Sequence, residues 1–586
     1  MNHRDQRKVM LTLNSESALG SLPLPGHKLR MADTSLASET AHPSALRIPI
    51  FRDVWTASMV SNFGGLIQSV GAAWMMTSLA SSPQFVALVQ ASTMLPIMLL
   101  SLWAGAIADN RDRRLVMLWA QSLMLVVSAA LAVCAWLGML SPWLLLGFTF
   151  VIGCGTALNG PAWQASVGDM VPRAALPGAV ALNSMGFNIA RSVGPAVGGI
   201  IVAAAGAAAA FLANAISYIG LIFVLLRWKP NLPPRLLPRE RTVAAMKAGV
   251  RYVAMSPNLR TVMFRSFVFG IAASAVPALM PLVARDLIGG GPLVYGILLG
   301  AFGIGAVAGA LANHRMRLRF STESIVRMAS LALAVGAAGA GASGKIATAF
   351  PALMLAGAGW VLALSTFNVT VQMESPRWVV ARGLALYQMA AFGGLAAGSW
   401  IFGIVAEGYS VSEALIAAAA LQAIGILPGI WWPLSSTEHL NLDPLRAWSE
   451  PETAVPVEPR TGPVVIAINY RIATNDIVEF LNVMSERRRI RRRDGARHWT
   501  LLRDLSDPET WIERYHVPTW LDYIRHNHRR TKADADNMQA IQNLQIGNAA
   551  PVVRRMIERQ IGTLPVAPQP NPREMADPMT DPTRSS

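Results

Sequence analysis

The sequence predicts an all-α polytopic membrane protein, with twelve transmembrane helices in two six-helix repeats, followed by a small C-terminal cytoplasmic α+β domain of ferredoxin-like order. Three observations carry this. Of 586 residues, 53% are hydrophobic and only 14% are charged, whereas a soluble domain is about one-quarter charged. About twelve apolar runs are long enough to cross a bilayer core. One constant shift also relates unlike landmarks. Gly105-Ala-Ile-Ala-Asp109, followed by Arg111, Arg113 and Arg114, returns as Gly309-Ala-Leu-Ala-Asn313, followed by Arg315 and Arg317, an offset of 313 − 109 = 204 residues. The same offset aligns Gly153 with Gly357, Pro172-Arg173 with Pro376-Arg377 and Gly194 with Gly398. Shared apolar composition would give matches at many offsets and would not return basic loops in phase. A duplication does both.

Residues 1–48 are polar and Ser-rich, and they read as a disordered cytoplasmic tail. The apolar stretch around Met10-Leu-Thr-Leu is too short for a signal peptide. The first six-helix half spans 49–228, a cytoplasmic loop 229–260 and the second half 261–434. Their runs are apolar all round, where helices of a soluble bundle would each keep a polar stripe. Connections alternate in sign. Those at 110–114, around Arg173, and at 227–265, 314–319 and 377–382 are basic; the others are short, nearly neutral and rich in Gly, Ser or Pro, with Arg285 and Lys345 as exceptions. Cytoplasmic loops carry the Lys/Arg excess, so both termini are expected in the cytoplasm. The same rule accounts for the net charge of +16 without a nucleic-acid partner. Two cysteines, Cys134 and Cys154, both in apolar runs, exclude a disulfide framework.

Within the loop after the second run, Gly105 is expected to let two helix ends approach, and Asp109 to cap the next helix. Arg113 and Arg114 hold the connection on the cytoplasmic side. The fifth run carries Gly186, Ala190, Gly194 and Gly198 every four residues, a small-residue ridge for a neighbouring helix. Pro195 and Gly199 can bend it. Ser184, Asn188 and Arg191 share an adjacent face. Arg191 lies twelve residues past the cytoplasmic end of its run, roughly 18 Å along the axis and near the middle of a core about 30 Å thick. An arginine there costs about 2.5–3.5 kcal/mol on insertion scales, so it should face a cavity or a partner. It suits an acidic or phenolic substrate group; capping of a carbonyl or an Asn between helices is the competing reading. Further candidates for the cavity are Asn62, Gln68, Asn159, Gln164, Asn368 and Gln372, of which Gln164 and Asn368 are related by the 204 offset. Each alone is also compatible with a helix–helix hydrogen bond. Besides Asp109, the carboxylates near the cytoplasmic ends are Asp53, Asp169 and Glu374.

These features resemble a major facilitator superfamily transporter. The segments Pro161-Ala-Trp163-Gln164, Val171-Pro172-Arg173 and Ala181-Leu182-Asn183-Ser184 to Gly199 are similar to the branch of enterobactin exporters and related secretion effectors. The Gly105–Arg114 stretch resembles the superfamily's signature loop, although Asn110 stands where Arg or Lys is usual and Asn313 weakens any charged latch in the second half. Gly194-Pro195 to Gly198-Gly199 resembles the antiporter motif of exporting members, with Ala181 and Ala190 in place of glycines. The resemblance implies a multi-pass protein of the bacterial inner membrane that exports a small organic molecule, siderophore-like or drug-like, by alternating access. It also implies a proton as coupling ion, with Asp53, Asp169 and Glu374 as coupling candidates, and no cofactor. The chain has no GxxxxGK[ST] loop for nucleotide phosphates.

Residues 435–462 form a Pro- and Glu-rich linker. Strand 464–471, helix 476–491, strands 498–505 and 511–517, and a broken helix 520–544 place a ferredoxin-like domain at 463–546, before a Pro-rich tail at 547–586 expected to be disordered. This domain resembles the antibiotic-biosynthesis-monooxygenase type of dimeric α/β barrel, which implies dimerisation. It also leaves two alternatives to plain transport: a bifunctional protein whose tail is an oxygenase-like enzyme or ligand-binding module, and a membrane sensor or scaffold without transport. The clusters Arg487–Arg493 and Arg525–Arg530 read as solvated faces or lipid-headgroup contacts. His526 and His528 are too few, and too divergent on a helix, for a metal site.

Overall fold

The computed structural model describes residues 45–172, 175–229, 242–376, 378–434, 442, 445, 448, 450–547 and 551–558, without the side chains of Asp109, Asn110, Pro177, Ser184 and Asn188. The N-terminal tail before residue 45, Arg173, Arg377 and the C-terminal tail after residue 558 lie outside the described residues.

Helices start where the sequence supplies starting signals. Prolines open α1 (Pro49–Leu79), α2 (Pro83–Asn110) and α4 (Pro142–Met170), positions where a missing N–H costs nothing. Asp112 caps α3 (Arg113–Trp136) by accepting from Arg114 N at 2.9 Å. This corrects the expectation for Asp109, which lies in the last turn of α2, because the chain breaks only at Arg111 and the first acid after the break takes the cap. The run Leu176–Arg227 is kinked at Gly206, whose φ of 79° is reserved for glycine, so it is two helices, α5 (176–205) and α6 (207–227).

The loop 229–260 contains a short helix, α7 (Thr242–Ala254), which the sequence reading took as plain loop. The second half follows as α8 (Pro257–Leu287), α9 (Pro292–Arg317), α10 (Thr322–Gly341), α11 (Ile346–Met373), α12 (Val380–Gly408) and α13 (Val411–Trp431). Among the described residues ten runs are long and apolar enough to cross a membrane; the kinked run to Arg227 supplies two crossings and the more polar α1 another, which gives twelve. The repeat holds almost to the residue. Shifted by 204, α4 falls on 346–374, α5 on 380–409 and α6 on 411–431, against the observed α11, α12 and α13.

The C-terminal domain is a four-stranded antiparallel sheet in the order β2-β3-β1-β4, with β1 Val464–Arg471, β2 Arg497–Arg503, β3 Thr510–Val517 and β4 Val552–Ile557. Helices α14 (Ile477–Asp494), α15 (Trp520–His528) and α16 (Lys532–Asn543) complete it. The expected boundary at 546 is too early. β4 pairs with β1 from Val464↔Ile557 to Asn469↔Val552 and closes the ferredoxin-like order. Its residues Arg554 and Arg555 interrupt the apolar alternation that marks a half-buried strand.

Candidate functional site between the two halves

The two halves meet along two helix pairs, α5 with α9 and α2 with α12. Glycines permit the approach. A Cβ on Gly199 would lie 2.8 Å from Pro292 O and 2.9 Å from Gly296 Cα; one on Gly403 would lie 2.9 Å from Ala87 Cβ. Polar ties reinforce this face. Arg285 Nη1 donates to Thr77 O at 2.7 Å, Ser82 Oγ donates to Glu407 Oε2 at 2.7 Å, and Trp74 stacks on Tyr295 at 6.4 Å. All of these lie at the ends joined by short neutral loops. At the basic-loop ends, α4 with α12 and α5 with α11 share no comparable contact among the described residues. Among the described residues, the contacts between the halves are thus dense at one face and thinner towards the other.

Arg191 sits at the level where these contacts thin. It is fifteen residues into α5, roughly 22 Å along its axis, and its guanidinium lies 5.9 Å from the ring of Trp360 on α11. Trp360 is itself near the middle of α11, edge-on to Phe302 of α9, with its indole N–H enclosed and unpartnered. The guanidinium of one half therefore meets an aromatic face of the other, an attraction of about 0.5–2 kcal/mol. Gly303 of α9 makes room, since a Cβ there would lie 2.7 Å from Arg191 O. The side chains of Ser184 and Asn188, expected on an adjacent face, lie outside the described residues.

The ridge on α5 packs on α1. Gly194 meets Leu66 and Gly198 meets Ile67, while Gly199 alone turns to α9; buried Pro195 sits between them. Gln68 lies in a sealed network: its Oε1 accepts from Ser128 Oγ at 2.8 Å and Asn214 Nδ2 at 2.6 Å, joining α1, α3 and α6. Asn62 is half-buried on α1, Asn159 Oδ1 is enclosed without a partner on α4, and Gln164 is exposed on α4. Gln372 donates to Asn368 at 2.5 Å along α11, so these two are brought together but not to Gln164. Asp53 pairs with its exposed neighbour Arg52. Glu374 is buried at the end of α11.

In the signature loop, Arg113 pairs with Asp169 at 2.7 Å and donates to Ala165 O, tying α3 to α4, and Arg114 donates to Leu225 O and Leu226 O. In the second half Asn313 donates to Ser365 Oγ at 2.6 Å and accepts from Arg317. A Cβ on Gly309 would lie 2.7 Å from Ala358 O, whereas one on Gly105 would meet no atom within 4 Å among the described residues, so the expected close approach is seen in the second repeat. The sequence reading missed the buried Arg265–Glu323–Arg327 cluster joining α8, α10 and the end of α13, and the Glu407 tie between halves. Glu323 lies in the first turn of its helix and Glu407 in the last, where acids commonly face solvent.

Two pseudo-equivalent six-helix halves with a polar meeting point at mid-membrane define a transporter of the major facilitator superfamily. The chain belongs to the transmembrane secretion effector family, whose profile matches residues 40–561. It is 26% identical to the staphyloferrin A transporter of Staphylococcus aureus, over 44% of this chain and 65% of that relative, just under two thirds of its length. It is 26% identical to the enterobactin exporter EntS of Escherichia coli, over 55% of this chain and 76% of that one. Against macrolide efflux protein A of Streptococcus pyogenes, identity is 22% over 47% and 70%. Among solved structures, the POT family transporter PepTSo superposes with a TM-score of 0.55 at 13% identity, covering 67% of this chain and 99% of that one. A bacterial homologue of the lysosomal transporter Spinster gives 0.54 at 12%, covering 67% and 97%. At such identities the superpositions establish the fold alone.

Proposed function

We propose that this protein exports a small organic molecule bearing an acidic or phenolic group, siderophore-like or drug-like, across the bacterial inner membrane by alternating access. Proton antiport drives it in this reading, and both termini lie in the cytoplasm. The observation that carries the proposal is Arg191 over Trp360, a cation and an aromatic face from opposite halves at mid-membrane. A phenolate or carboxylate can pair with the guanidinium while its ring stacks on the indole, and a change in the approach of the halves then alters the site. The names of the relatives, two siderophore transporters and a macrolide efflux protein, support a substrate of this size and direction.

The test uses reconstituted vesicles and paired acidic and neutral compounds of similar size. Arg191→Lys keeps charge but loses the forked geometry, and it is expected to retain part of the transport of acidic compounds. Arg191→Met removes an expensive buried charge, so folding survives while acidic compounds lose transport at least tenfold more than neutral ones. Equal loss for both classes, with a lowered melting temperature, would assign Arg191 to helix tying and sink the proposal.

A further inference from the structure

Among the described residues of the C-terminal domain, three buried arginines meet three buried carboxylates, and half-buried Arg530 stands beside them as a further cation. Glu513, fully enclosed on β3, accepts from Arg491 Nε at 3.1 Å, Trp499 Nε1 at 3.0 Å and Tyr470 OH at 2.7 Å, with Arg487 Nε a further 3.6 Å away. Asp494 and Asp534 are held by Arg493, at 3.0 and 2.9 Å, and Asp534 also by Thr531. Three carboxylates thus face four arginines, the fourth being Arg530 at the end of α15. Arg487, Arg491 and Arg530 line one narrow cleft. Arg491 Nη2 and Arg530 Nε are enclosed without a hydrogen-bond partner, and Arg487 Nε has only its longer ion pair with Glu513; Arg491 and Arg487 are 2% and 5% exposed. His526 Nε2 lies 3.0 Å from Arg491 Nη1. A guanidinium only donates, so this nitrogen accepts and the neutral ring carries its proton on Nδ1. His526 therefore adds no counter-charge. Burial, and then Arg491 and Arg487, hold the Arg530 guanidinium down to about 10, the mark of a cation crowded by its own kind.

We propose that this cleft binds an oxyanion group, a carboxylate or a phosphate, gripped by Arg487, Arg491 and Arg530. Unpartnered guanidinium N–H groups in a low-dielectric cleft are arranged for such a group and gain charge-assisted hydrogen bonds from it. Ile490 and Met538 on the wall leave an apolar margin, and Asp494 and Asp534, which also line the cleft, are occupied by Arg493. The cleft is narrow, so it takes only a small anionic head group and not the body of a ligand. This site is separate from the path between the halves and does not rest on the export reading.

Hydrogen–deuterium exchange of the full-length protein tests it, with sodium formate and inorganic phosphate as probes and sodium chloride at equal ionic strength as control. A saturable slowing of exchange across 487–494 and 526–531, by at least ~3-fold and absent with chloride, is expected from at least one probe. Response to formate alone identifies a carboxylate ligand; response to phosphate alone, a phosphate. R530Q removes a charged donor and should weaken the response about tenfold. Where R530Q loosens β1 without any anion, R530K is read instead, and it must bind more weakly than the natural protein. No saturable response to either probe, an equal response to chloride, or undiminished binding by the variant that folds would overturn the proposal.

Discussion

Arg113 and Arg317 occupy equivalent positions in the two repeats and solve the same problem with different chemistry. Each reaches from one helix end to the helix that follows the next crossing, Arg113 to Asp169 and Ala165 O, Arg317 to Asn313 and Ser365 O. The first anchor is an ion pair and the second is neutral on the acceptor side. Asp169→Asn keeps an acceptor for Arg113 but removes its counter-charge, and at about one-fifth exposure that loss is worth about 1–3 kcal/mol. Asn313→Ala removes a hydrogen bond to Ser365 Oγ and one neutral acceptor of Arg317, which keeps Ser365 O, a loss of about 0.5–1.5 kcal/mol. Thermal unfolding in detergent should rank the two variants in that order, and the transport rate of Asp169→Asn should fall with its stability. Equal melting temperatures for Asp169→Asn and the natural protein would remove the pair from the fold's anchoring. Such anchors were partly legible: the arginines and Asp169 stood out by charge, whereas Ser365 did not, because one serine in an apolar run looks like any other.

At the scale of elements, the crossings were legible nearly to the residue, since apolar length, proline starts and the 204-residue shift all belong to single stretches of sequence. The seam between halves was not. Gly199 against Gly296 joins two helices whose own periodicities say nothing of each other, and the α5 ridge gave no sign that one glycine faces α9 while its neighbours face α1. That seam predicts its own failure. Gly199→Leu places a side chain where even a Cβ would lie 2.8 Å from Pro292 O, so the densely packed face must open or the helices shift. Cysteines at Ser82 and Glu407, whose natural side chains touch at 2.7 Å, should cross-link readily in the natural background. With Gly199→Leu the yield should drop several-fold. Gly147→Leu is the control, because no atom lies within 4 Å of a Cβ there. Unchanged cross-linking in Gly199→Leu would show that the seam yields elsewhere.

At the scale of the whole molecule, the C-terminal domain is docked on α7 of the loop between the halves and on the α11–α12 connection rather than merely tethered. Arg489 Nη1 donates to Met255 O at 3.2 Å, Arg251 Nε to Arg493 O at 3.2 Å, Arg493 lies over Tyr252 at 5.1 Å, and Arg529 over Trp378 at 4.2 Å. Reading the arginine runs as solvated faces fails here for a physical reason: Arg487 and Arg491 look alike in sequence whether they meet water or Glu513, and only folding brings β3 beneath them. Their burial makes the domain sensitive to acid. Burial opposes ionisation of Glu513, but Arg491, Arg487 and the donors Trp499 and Tyr470 outweigh it and hold the carboxyl at about 2. The stability it contributes, on the order of 3 kcal/mol, is complete above about pH 4.5 and is lost as pH falls towards 2. His526, held well below the usual histidine range by burial and by Arg491, Arg530 and Arg529, contributes above about pH 6.5 and fades as pH drops beneath it. Exchange protection of β1 amides in the full-length protein, corrected for intrinsic rates, should therefore fall from pH 7 to pH 5 while α8–α13 stay protected. His526→Gln, which still accepts from Arg491, should flatten that step and leave the steeper loss below pH 4.5 to Glu513. Protection of β1 that is the same at pH 5 as at pH 7 would show that the neutral imidazole does not underpin the domain.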